Sequence, residues 1–259
     1  MHPSVSNDIP ALDWHGRPID AAACAACEHA ALRARSGCEP GRCCMRDIYA
    51  RRIDRFFRSH PALANAHLAH AYFEVRAIAA RYADLFRLGA LLADPDETVR
   101  LQVALRVPQR LLRTLRDDPH REVRIRVAQR IELAELPGLL RDPDYQVRSI
   151  VARRAPEGLL PLLMHDSDLQ VRQEVARRLP MPALWRLAAD AAPEVRRIVA
   201  ERLPVSLLDV LARDSDWTVR WEVAGRAEGA TLDRLLHDTE PEVRERARDR
   251  SDVKEPVHG

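Results

Sequence analysis

Aromatic residues, glycine and lysine are scarce in this chain. Only 5% of the 259 residues are aromatic and nine are glycine, which disfavours an all-β barrel. Lys254 is the single lysine among 41 basic residues, and 39 acidic residues reduce the net charge to +2, which disfavours a simple polycation for nucleic acid. No run of 18 apolar residues and no basic-then-apolar leader is present, so we expect a soluble, cytoplasmic protein without a membrane partner.

Leucine, alanine, valine and arginine are abundant instead, and they follow a 24-residue period. The dipeptide Val-Arg recurs eight times at this spacing, from Val75-Arg76 to Val243-Arg244. Five further columns of seven residues each begin at Ala80, Leu88, Leu91, Asp94 and Arg106. Such self-similarity is typical of a repeat protein.

Each repeat unit is interpreted as an α-helix followed by a shorter helix. The run Asp-Pro-Asp-Glu at residues 94–97 is typical of a helix start, because either aspartate can cap free N–H groups and proline fits the first turn. Pro193 and Pro241 indicate that the helix begins slightly later in two units. The leucines of the second segment are three apart, which suits a 3₁₀-helix as well as an α-helix. Neither segment can bury its apolar side alone, so the units must stack into an all-α solenoid without a sheet.

The repeat, with Pro-x-x-Leu-Leu-x-x-Leu in its second half, resembles the leucine-rich repeat variant (LRV) family from residue 70 to about residue 250. The resemblance implies alternating α- and 3₁₀-helices wound into a right-handed superhelix. The strand-lined horseshoe of ordinary leucine-rich repeats is excluded, because its strand pattern is absent and the chain has only two asparagines. We therefore predict a four-cysteine domain over residues 1–69, a repeat solenoid over residues 70–250 and a polar tail over residues 251–259.

All the cysteines lie within 21 residues of the N-terminal segment. An odd number of cysteines, without a signal peptide, favours a metal site over disulfides. Four thiolates suit either structural zinc or an iron-sulfur cluster, and His15 and His29 are spare nitrogen ligands, so the residues alone leave both cofactors open. The five cysteines are Cys24, Cys27, Cys38, Cys43 and Cys44.

The cysteine segment resembles the N-terminal domain of the LRV proteins, which holds a 4Fe-4S cluster. The chain lacks the Cys-Pro ending of bacterial ferredoxin motifs, so a structural cap or an oxygen or redox sensor is favoured over an electron carrier. The resemblance implies a metal-ligand set of Cys24, Cys27, Cys38 and either Cys43 or Cys44.

The fourth ligand is chosen from the pattern that follows the doubled cysteine. The sequence predicts an amphipathic helix whose apolar stripe consists of Ile48, Ile53, Phe56 and Phe57. Cys44 lies four residues before Ile48 and is expected to point along that stripe, whereas Cys43 is rotated off it. We therefore predict Cys44 as the fourth ligand, with Cys43 as the alternative.

The arginine columns have a nucleic-acid interpretation and a structural one. Regularly spaced guanidinium groups suit a phosphate backbone. Aspartate recurs at the same period, however, so an aspartate of one unit can pair with an arginine of the same or the next unit. From residue 70 onward the chain carries 32 basic and 32 acidic residues. This balance favours a structural ladder and predicts no nucleic-acid partner.

The sequence contains no catalytic motif of the metalloprotease, hydrolase or P-loop type, so we expect a protein that is not an enzyme. Trp217 and Trp221 occupy columns that vary between units, which predicts surface positions suited to binding a partner or to shielding the end of the stack. The leading hypothesis is a protein-interaction scaffold that carries a structural or redox-sensing 4Fe-4S cluster. The alternatives are a redox module docked through the solenoid and, third, a nucleic-acid binder. The family resemblance implies protein partners related to nitrogen fixation.

Overall fold

The protein is described by a computed structural model that covers residues 9–252. These residues form two compact units, 9–132 and 133–252. Within residues 9–252 there is no β-strand. Three isolated β-bridges occur near the cysteines. The prediction of an all-α fold is confirmed. Residues 253–259 of the predicted tail lie outside the described residues, whereas Ser251 and Asp252 still belong to the last helix.

The first unit begins with the cysteine segment and continues into alternating α- and 3₁₀-helices. Its elements are α1 (Ala21–Ala25), α2 (Ala30–Ala34), α3 (Ala50–Ser59), η1 (Pro61–His67), α4 (Phe73–Tyr82), η2 (Leu85–Leu91), α5 (Glu97–Ala104), α6 (Gln109–Leu112), η3 (Arg113–Leu115) and α7 (Arg121–Arg130). The label η denotes a 3₁₀-helix.

The second unit consists entirely of the alternating pattern. Its elements are η4 (Leu133–Leu139), α8 (Tyr145–Arg154), η5 (Glu157–Leu163), α9 (Leu169–Arg178), η6 (Ala183–Ala189), α10 (Pro193–Arg202), η7 (Val205–Leu211), α11 (Trp217–Ala224), α12 (Gly229–Leu235) and α13 (Pro241–Asp252). The second helix of a unit is a 3₁₀-helix except at α6, which becomes 3₁₀ only in its last turn, and at α12.

The first helix of every unit begins at the same column, from Phe73 to Pro241 in steps of 24 residues. The prediction that Pro193 and Pro241 delay the helix start is therefore wrong. Each proline is the first residue of its helix, where its missing N–H group has no intrahelical partner to lose. Where the turn holds two aspartates, the second is the N-cap that accepts a backbone N–H two residues on, as at Asp96, Asp144, Asp168 and Asp216.

The core follows the repeat columns. All eight valines of the Val-Arg column and all seven alanines of the alanine column have no exposed surface. The two leucine columns are at most 6% exposed. Full burial of one such leucine or valine contributes about 1.5–3 kcal/mol to stability. No single unit could bury these side chains by itself, so the periodic core is what holds neighbouring units together.

The helix alternation begins earlier than the sequence columns do. Helix α3 and the 3₁₀-helix η1 form the same pair as in the repeats, and η1 starts 24 residues before η2. Ala64 and His67 occupy the two leucine columns of this first pair, and both are buried. The predicted boundary at residues 69 and 70 thus lies inside the first compact unit and separates sequence patterns within a continuous helix alternation.

In the part of the chain that the structure describes, none of the helices combines the length and the apolar character that a membrane span requires.

Candidate metal centre in the cysteine segment

Four of the five cysteines meet at one cavity. Cys24 lies on α1, Cys27 in the turn after it, Cys38 after α2, and Cys44 before α3. All four line the same small cavity, together with Ile19, Ala23, His29, Ala30, Arg33, Pro40 and Arg46. Cys43 is not part of the lining, and its Sγ atom faces the carbonyl oxygen of Gly37 at 4.0 Å. The structure therefore brings together the predicted set of Cys24, Cys27, Cys38 and Cys44.

Local backbone geometry produces this convergence. Asp20 caps α1 by accepting the N–H of Ala23 at 2.8 Å, which fixes the turn of helix that carries Cys24. Glu39 and Cys43 exchange backbone hydrogen bonds of 2.7 and 2.8 Å across a tight turn. Gly41 lies in that turn with φ +76°, a conformation that favours glycine. The turn reverses the chain so that the cysteines before and after it face the same cavity.

Burial disfavours the thiolate form of two of the cavity cysteines, Cys38 and Cys44. Burial raises the pKa of Cys44 to about 11, and the neighbouring thiols of Cys27 and Cys38 act in the same direction. Burial also raises the pKa of Cys38, with Cys27 and Cys24 as the next contributors. A bound metal centre converts such a set into thiolate ligands, because its positive charge stabilises the deprotonated sulfurs.

The surroundings of the cavity suit an anionic cluster. Arg33 and Arg46 line it, and Arg46 is held in place by donating to the carbonyl of Ala23 at 3.1 Å. The backbone N–H of His29 points at the Cys27 Sγ atom at 3.5 Å, a contact that stabilises negative charge on sulfur. The donor set, the two guanidinium groups and the N–H···S contact all fit an iron-sulfur cluster.

The cysteine sulfurs are not gathered as closely as a single zinc ion requires. Around one tetrahedral zinc ion with Zn–S bonds of about 2.3 Å, neighbouring sulfurs lie about 3.8 Å apart. Among the described residues, no three cysteine sulfurs come within 4.8 Å of one another. A cluster that binds each cysteine to a different iron requires wider spacing than a single zinc ion does.

Cys44 does not lie on the helix that carries the predicted apolar stripe. Helix α3 begins at Ala50, so Cys43, Cys44 and Ile48 all precede it. Ile48 is 43% exposed, whereas the rest of the predicted stripe, on α3, is buried. The stripe therefore does not orient Cys44. The turn around Gly41 places Cys44 at the cavity. Cys44 is buried, whereas Cys43 is only partly buried.

The two predicted spare histidine ligands separate in the structure. His15 is exposed and packs near Trp14, away from the cavity, whereas His29 lines the cavity. The ring of His29 contacts His67, with 3.0 Å between the two Nε2 atoms. His67 is not among the predicted site residues. Its column does offer a signal, since the seven following units have leucine at this position.

The Val-Arg arginines join consecutive units. Arg148 donates from Nε and Nη2 to the two carboxylate oxygens of Asp166 at 2.7 and 2.8 Å, and from Nη1 to the carbonyl of Asp142 at 2.8 Å. These contacts confirm the predicted aspartate–arginine ladder. The same two-point pairing occurs at Arg76–Asp94, Arg100–Asp118, Arg172–Asp190, Arg196–Asp214 and Arg220–Asp238.

The second arginine column satisfies helix ends. Arg106 donates from Nη1 to the carbonyls of Ala80 and Ala83 at 2.6 and 2.8 Å, at the C-terminus of the preceding unit's helix. These carbonyls have no partner within their own helix. Equivalent contacts to the alanine column are made by Arg130, Arg178, Arg202 and Arg226. Both arginine columns therefore serve the fold.

The predicted tryptophan pair is only partly available at the surface. Trp217 is the first residue of α11 and is 43% exposed. Trp221 is half-buried, and the guanidinium of Arg246 lies 4.6 Å from its ring centroid. Trp217 is thus an accessible aromatic position, while Trp221 is covered by α13. The partner-binding role of the pair stays a prediction.

The fold and the cysteine site together define a helical repeat protein with a four-cysteine site in its N-terminal segment. A family model described as "LRV protein FeS4 cluster" matches residues 11–66, and one described as "Leucine rich repeat variant" matches residues 73–96 and 145–168. A solved structure described as a leucine-rich repeat variant with a novel repetitive structural motif is 44% identical, with a TM-score of 0.84, over 88% of this chain and 97% of that one. The chain belongs to the leucine-rich repeat variant family.

A curated relative matches over a shorter stretch. It is described as an uncharacterized 27.7 kDa protein in the nifB 3' region of Rhodobacter capsulatus and is 46% identical over 97 residues. The match spans 38% of this chain and 38% of the relative. The family models indicate LRV repeats and an FeS4 cluster domain in this chain.

Proposed function

We propose that this chain is a non-enzymatic, cytoplasmic scaffold for a protein partner, and that its cysteine segment holds a 4Fe-4S cluster as a structural cap on the repeats. The proposed ligands are Cys24, Cys27, Cys38 and Cys44. The cytoplasmic location rests on the free thiols, which a reducing compartment keeps available for iron.

The observation that carries the cap role is the way buried Arg52 ties the cysteine segment to the first helix pair. Arg52 lies on α3 and is 7% exposed. Its guanidinium donates to the carboxylate of Asp47 at 3.1 Å and to the carbonyls of Pro10 and Ile9. The N–H of Cys44 in turn donates to the Arg52 carbonyl at 3.2 Å. A cluster bound at Cys44 therefore orders the segment that covers the start of the repeats.

Aromatic packing supports the same role. The ring of Trp14 stacks on Tyr72 at a centroid distance of 5.9 Å and meets the edge of His70 at 4.7 Å. The Tyr72 hydroxyl donates to the carbonyl of Ile48 at 3.3 Å. The end of a solenoid must be covered to shield its core from water, and this segment supplies that cover.

The scaffold role is supported by the difference between the regular and the variable columns of the repeat. The regular columns are used inside the fold, which leaves the variable columns to face a partner. Trp217 is one such variable, exposed position. The Rhodobacter capsulatus relative is described by its position in the nifB 3' region, which supports a partner connected with nitrogen fixation.

A redox role for the cluster is the second candidate. Cys27 and Cys38 are only half-buried, so a cluster bound there is reachable by small oxidants or by an electron-transfer partner. The N–H···S contact at Cys27 is of the kind that tunes a cluster's potential.

Hydrogen exchange on the anaerobically prepared, cluster-loaded chain and on the iron-free chain tests the cap role. We expect iron removal to lower protection strongly across residues 9–59 and across α4, while residues 133–252 keep theirs. Equal protection of the two forms, together with a reversible reduction wave in voltammetry, would contradict the cap role and favour the redox role.

The scaffold role requires a separate test. We expect the immobilised, cluster-loaded chain to retain a protein partner after nuclease treatment, and Trp217→Ala to weaken that retention at unchanged melting temperature. Leu162→Ala is the control, since Leu162 is also exposed. Retention that depends on nucleic acid, or that Trp217→Ala leaves unchanged, would contradict this assignment.

A further inference from the structure

We propose that Glu28, His29 and His67 form a second metal site, for one divalent first-row transition-metal ion such as Zn²⁺, beside the cysteine cavity. The proposed function requires only the cysteines, so this site is independent of it.

His67 is the residue that sets this site apart from the repeats. It occupies the second leucine column, where the seven following units place leucine, and it is only 4% exposed. An imidazole at a buried leucine position brings two nitrogens out of water, which costs free energy unless both find partners. The neighbours of both nitrogens belong to the cysteine segment and not to the repeat pattern. The His29 ring contacts Nε2, and the Glu28 carboxylate lies near Nδ1.

The three side chains lie close enough together to hold one metal ion. The Nε2 atoms of His29 and His67 are 3.0 Å apart, and a Glu28 carboxylate oxygen lies 4.0 Å from the other ring nitrogen of His67, Nδ1, which an ion bound at Nε2 would not use. One ligand atom from each of the three residues lies within 4.8 Å of the others. Around a tetrahedral zinc ion with Zn–N bonds of about 2.0–2.1 Å, two nitrogens lie about 3.3 Å apart. The observed histidine spacing is within a few tenths of an ångström of that value.

The charge and chemistry of the group select the ion. Two neutral imidazoles and one carboxylate are the nitrogen and oxygen ligands that Zn²⁺ and its first-row neighbours bind, and the two-histidine, one-glutamate set leaves a coordination position for water. The carboxylate gives the set a charge of −1, which a dication offsets. Two imidazole nitrogens facing each other at 3.0 Å also require that at least one ring is neutral, the state in which a histidine binds metal.

One side of the site is apolar, and the other side is open to water. The ring of Phe56 lies 5.1 Å from His29, and the ring of Phe57 lies 5.5 Å from His67. Both phenylalanines are buried on α3. The Glu28 side chain is 64% exposed, so the carboxylate side opens to water and provides a path for the ion. His29 also connects the site to the cysteine cavity, because its backbone N–H faces the Cys27 Sγ atom.

Zinc titration of the full-length, cluster-loaded chain by anaerobic calorimetry tests the proposal, with iron measured before and after. We expect one equivalent of Zn²⁺ to bind without loss of iron. Loss of outer-shell partners lowers metal affinity 10–100-fold, so loss of a ligand itself should have at least that effect. We therefore expect His67→Leu to weaken zinc binding by about 100-fold or more, and Glu28→Gln by about 10-fold or more.

Two features of the variants keep the result interpretable. His67→Leu restores the residue that the other units have, so its melting temperature should equal or exceed that of the parent chain. Glu28→Gln changes an exposed side chain and leaves the core untouched. His165→Ala changes an exposed histidine of the second compact unit, residues 133–252, and should bind zinc like the parent chain. No zinc uptake by the parent chain, equal affinity in His67→Leu and Glu28→Gln, or uptake that releases iron would each overturn the proposal.

Discussion

At the residue scale, the cysteine segment depends on a few positions whose neighbours in sequence differ sharply in environment. Cys43 and Cys44 are adjacent, yet Cys44 is 8% exposed at the cavity while Cys43 faces the carbonyl of Gly37. Gly41 makes this difference possible. Its left-handed conformation turns the chain between Cys38 and the Cys43–Cys44 pair. The doubled cysteine is therefore two residues with different roles.

Replacement of single cysteines tests the ligand assignment. We expect Cys44→Ala, like Cys24→Ala, to abolish the visible absorption of the anaerobically purified chain, because each removes one thiolate of the cluster. Cys43→Ala is the matched control and should keep most of the absorption. If Cys43→Ala lost the chromophore and Cys44→Ala kept it, the assignment of the fourth ligand would be wrong while the cluster itself would stand.

At the scale of the element, each unit is a pair of short helices that are stable only in the stack. The second helix of each unit contributes to the core through its two leucine columns. The leucines of these columns are three residues apart and therefore lie on one side of a 3₁₀-helix. Leu160 has no exposed surface, whereas Leu162 on the same helix is 68% exposed. The neighbouring units therefore hold η5 through one side only.

Leu160→Ala and Leu162→Ala form a matched pair on η5. We expect Leu160→Ala to lower the free energy of unfolding by about 2–5 kcal/mol, because it leaves a cavity in the core. Leu162→Ala should change it by less than about 0.5 kcal/mol, the usual range for surface substitutions. Chemical denaturation measures both, and equal effects of the two substitutions would mean that this column is not core.

The aspartate–arginine ladder acts between elements, and Arg148 is its clearest test. Its side chain is 12% exposed and that of Asp166 is 7% exposed, so Arg148→Ala leaves a largely buried carboxylate without its arginine partner. We expect a loss of about 3–5 kcal/mol in the free energy of unfolding. Arg153→Ala, which removes an exposed ion pair with Glu174, should cost at most about 1 kcal/mol.

An alternative outcome for Arg148→Ala would favour nucleic-acid binding. If the arginines faced a phosphate backbone, this variant would unfold like the parent chain and would lose tight, salt-sensitive binding to DNA or RNA. That combination would contradict the structural ladder.

At the scale of the whole molecule, the repeat allowed much of the fold to be predicted from sequence. The period identified the core columns, the all-α class and the order of the helices, because one buried face per helix leaves few other arrangements. The first helix pair, α3 and η1, does not follow from the period, since Ala64 and His67 replace its leucines and hide the repeat. The orientation of Cys44 depends on a turn, and long-range contacts such as those of His67 with the cysteine segment leave no periodic trace.

The ladder also predicts how the stability of the whole chain depends on pH. Although burial alone raises the pKa of Asp166, hydrogen bonds from Arg148 and from the backbone hold it below the ordinary value, and Asp94, Asp118 and Asp238 behave alike. A pKa that is lower in the folded state adds stability above the unfolded value of about 3.9, and this stability is lost as the pH falls through the folded value.

Asp166→Asn provides the comparison for this pH dependence. We expect it to melt below the parent chain at pH 7, and the gap to narrow as the pH falls below about 4, because the parent aspartate then becomes protonated. Asp117→Asn, at an 80% exposed side chain, should follow the parent chain throughout. A gap between Asp166→Asn and the parent chain that stays constant down to the lowest pH would contradict the role assigned to the ionised aspartate.

Iron and acid-labile sulfide analysis of anaerobically purified, full-length protein tests the central claim most directly. Because the cysteines that line the cavity are proposed to hold a 4Fe-4S cluster, we expect about four iron and four sulfide per chain, and both should disappear in Cys24→Ala. Zinc bound in their place, with no labile sulfide and with loss of that zinc in Cys24→Ala, would contradict the account.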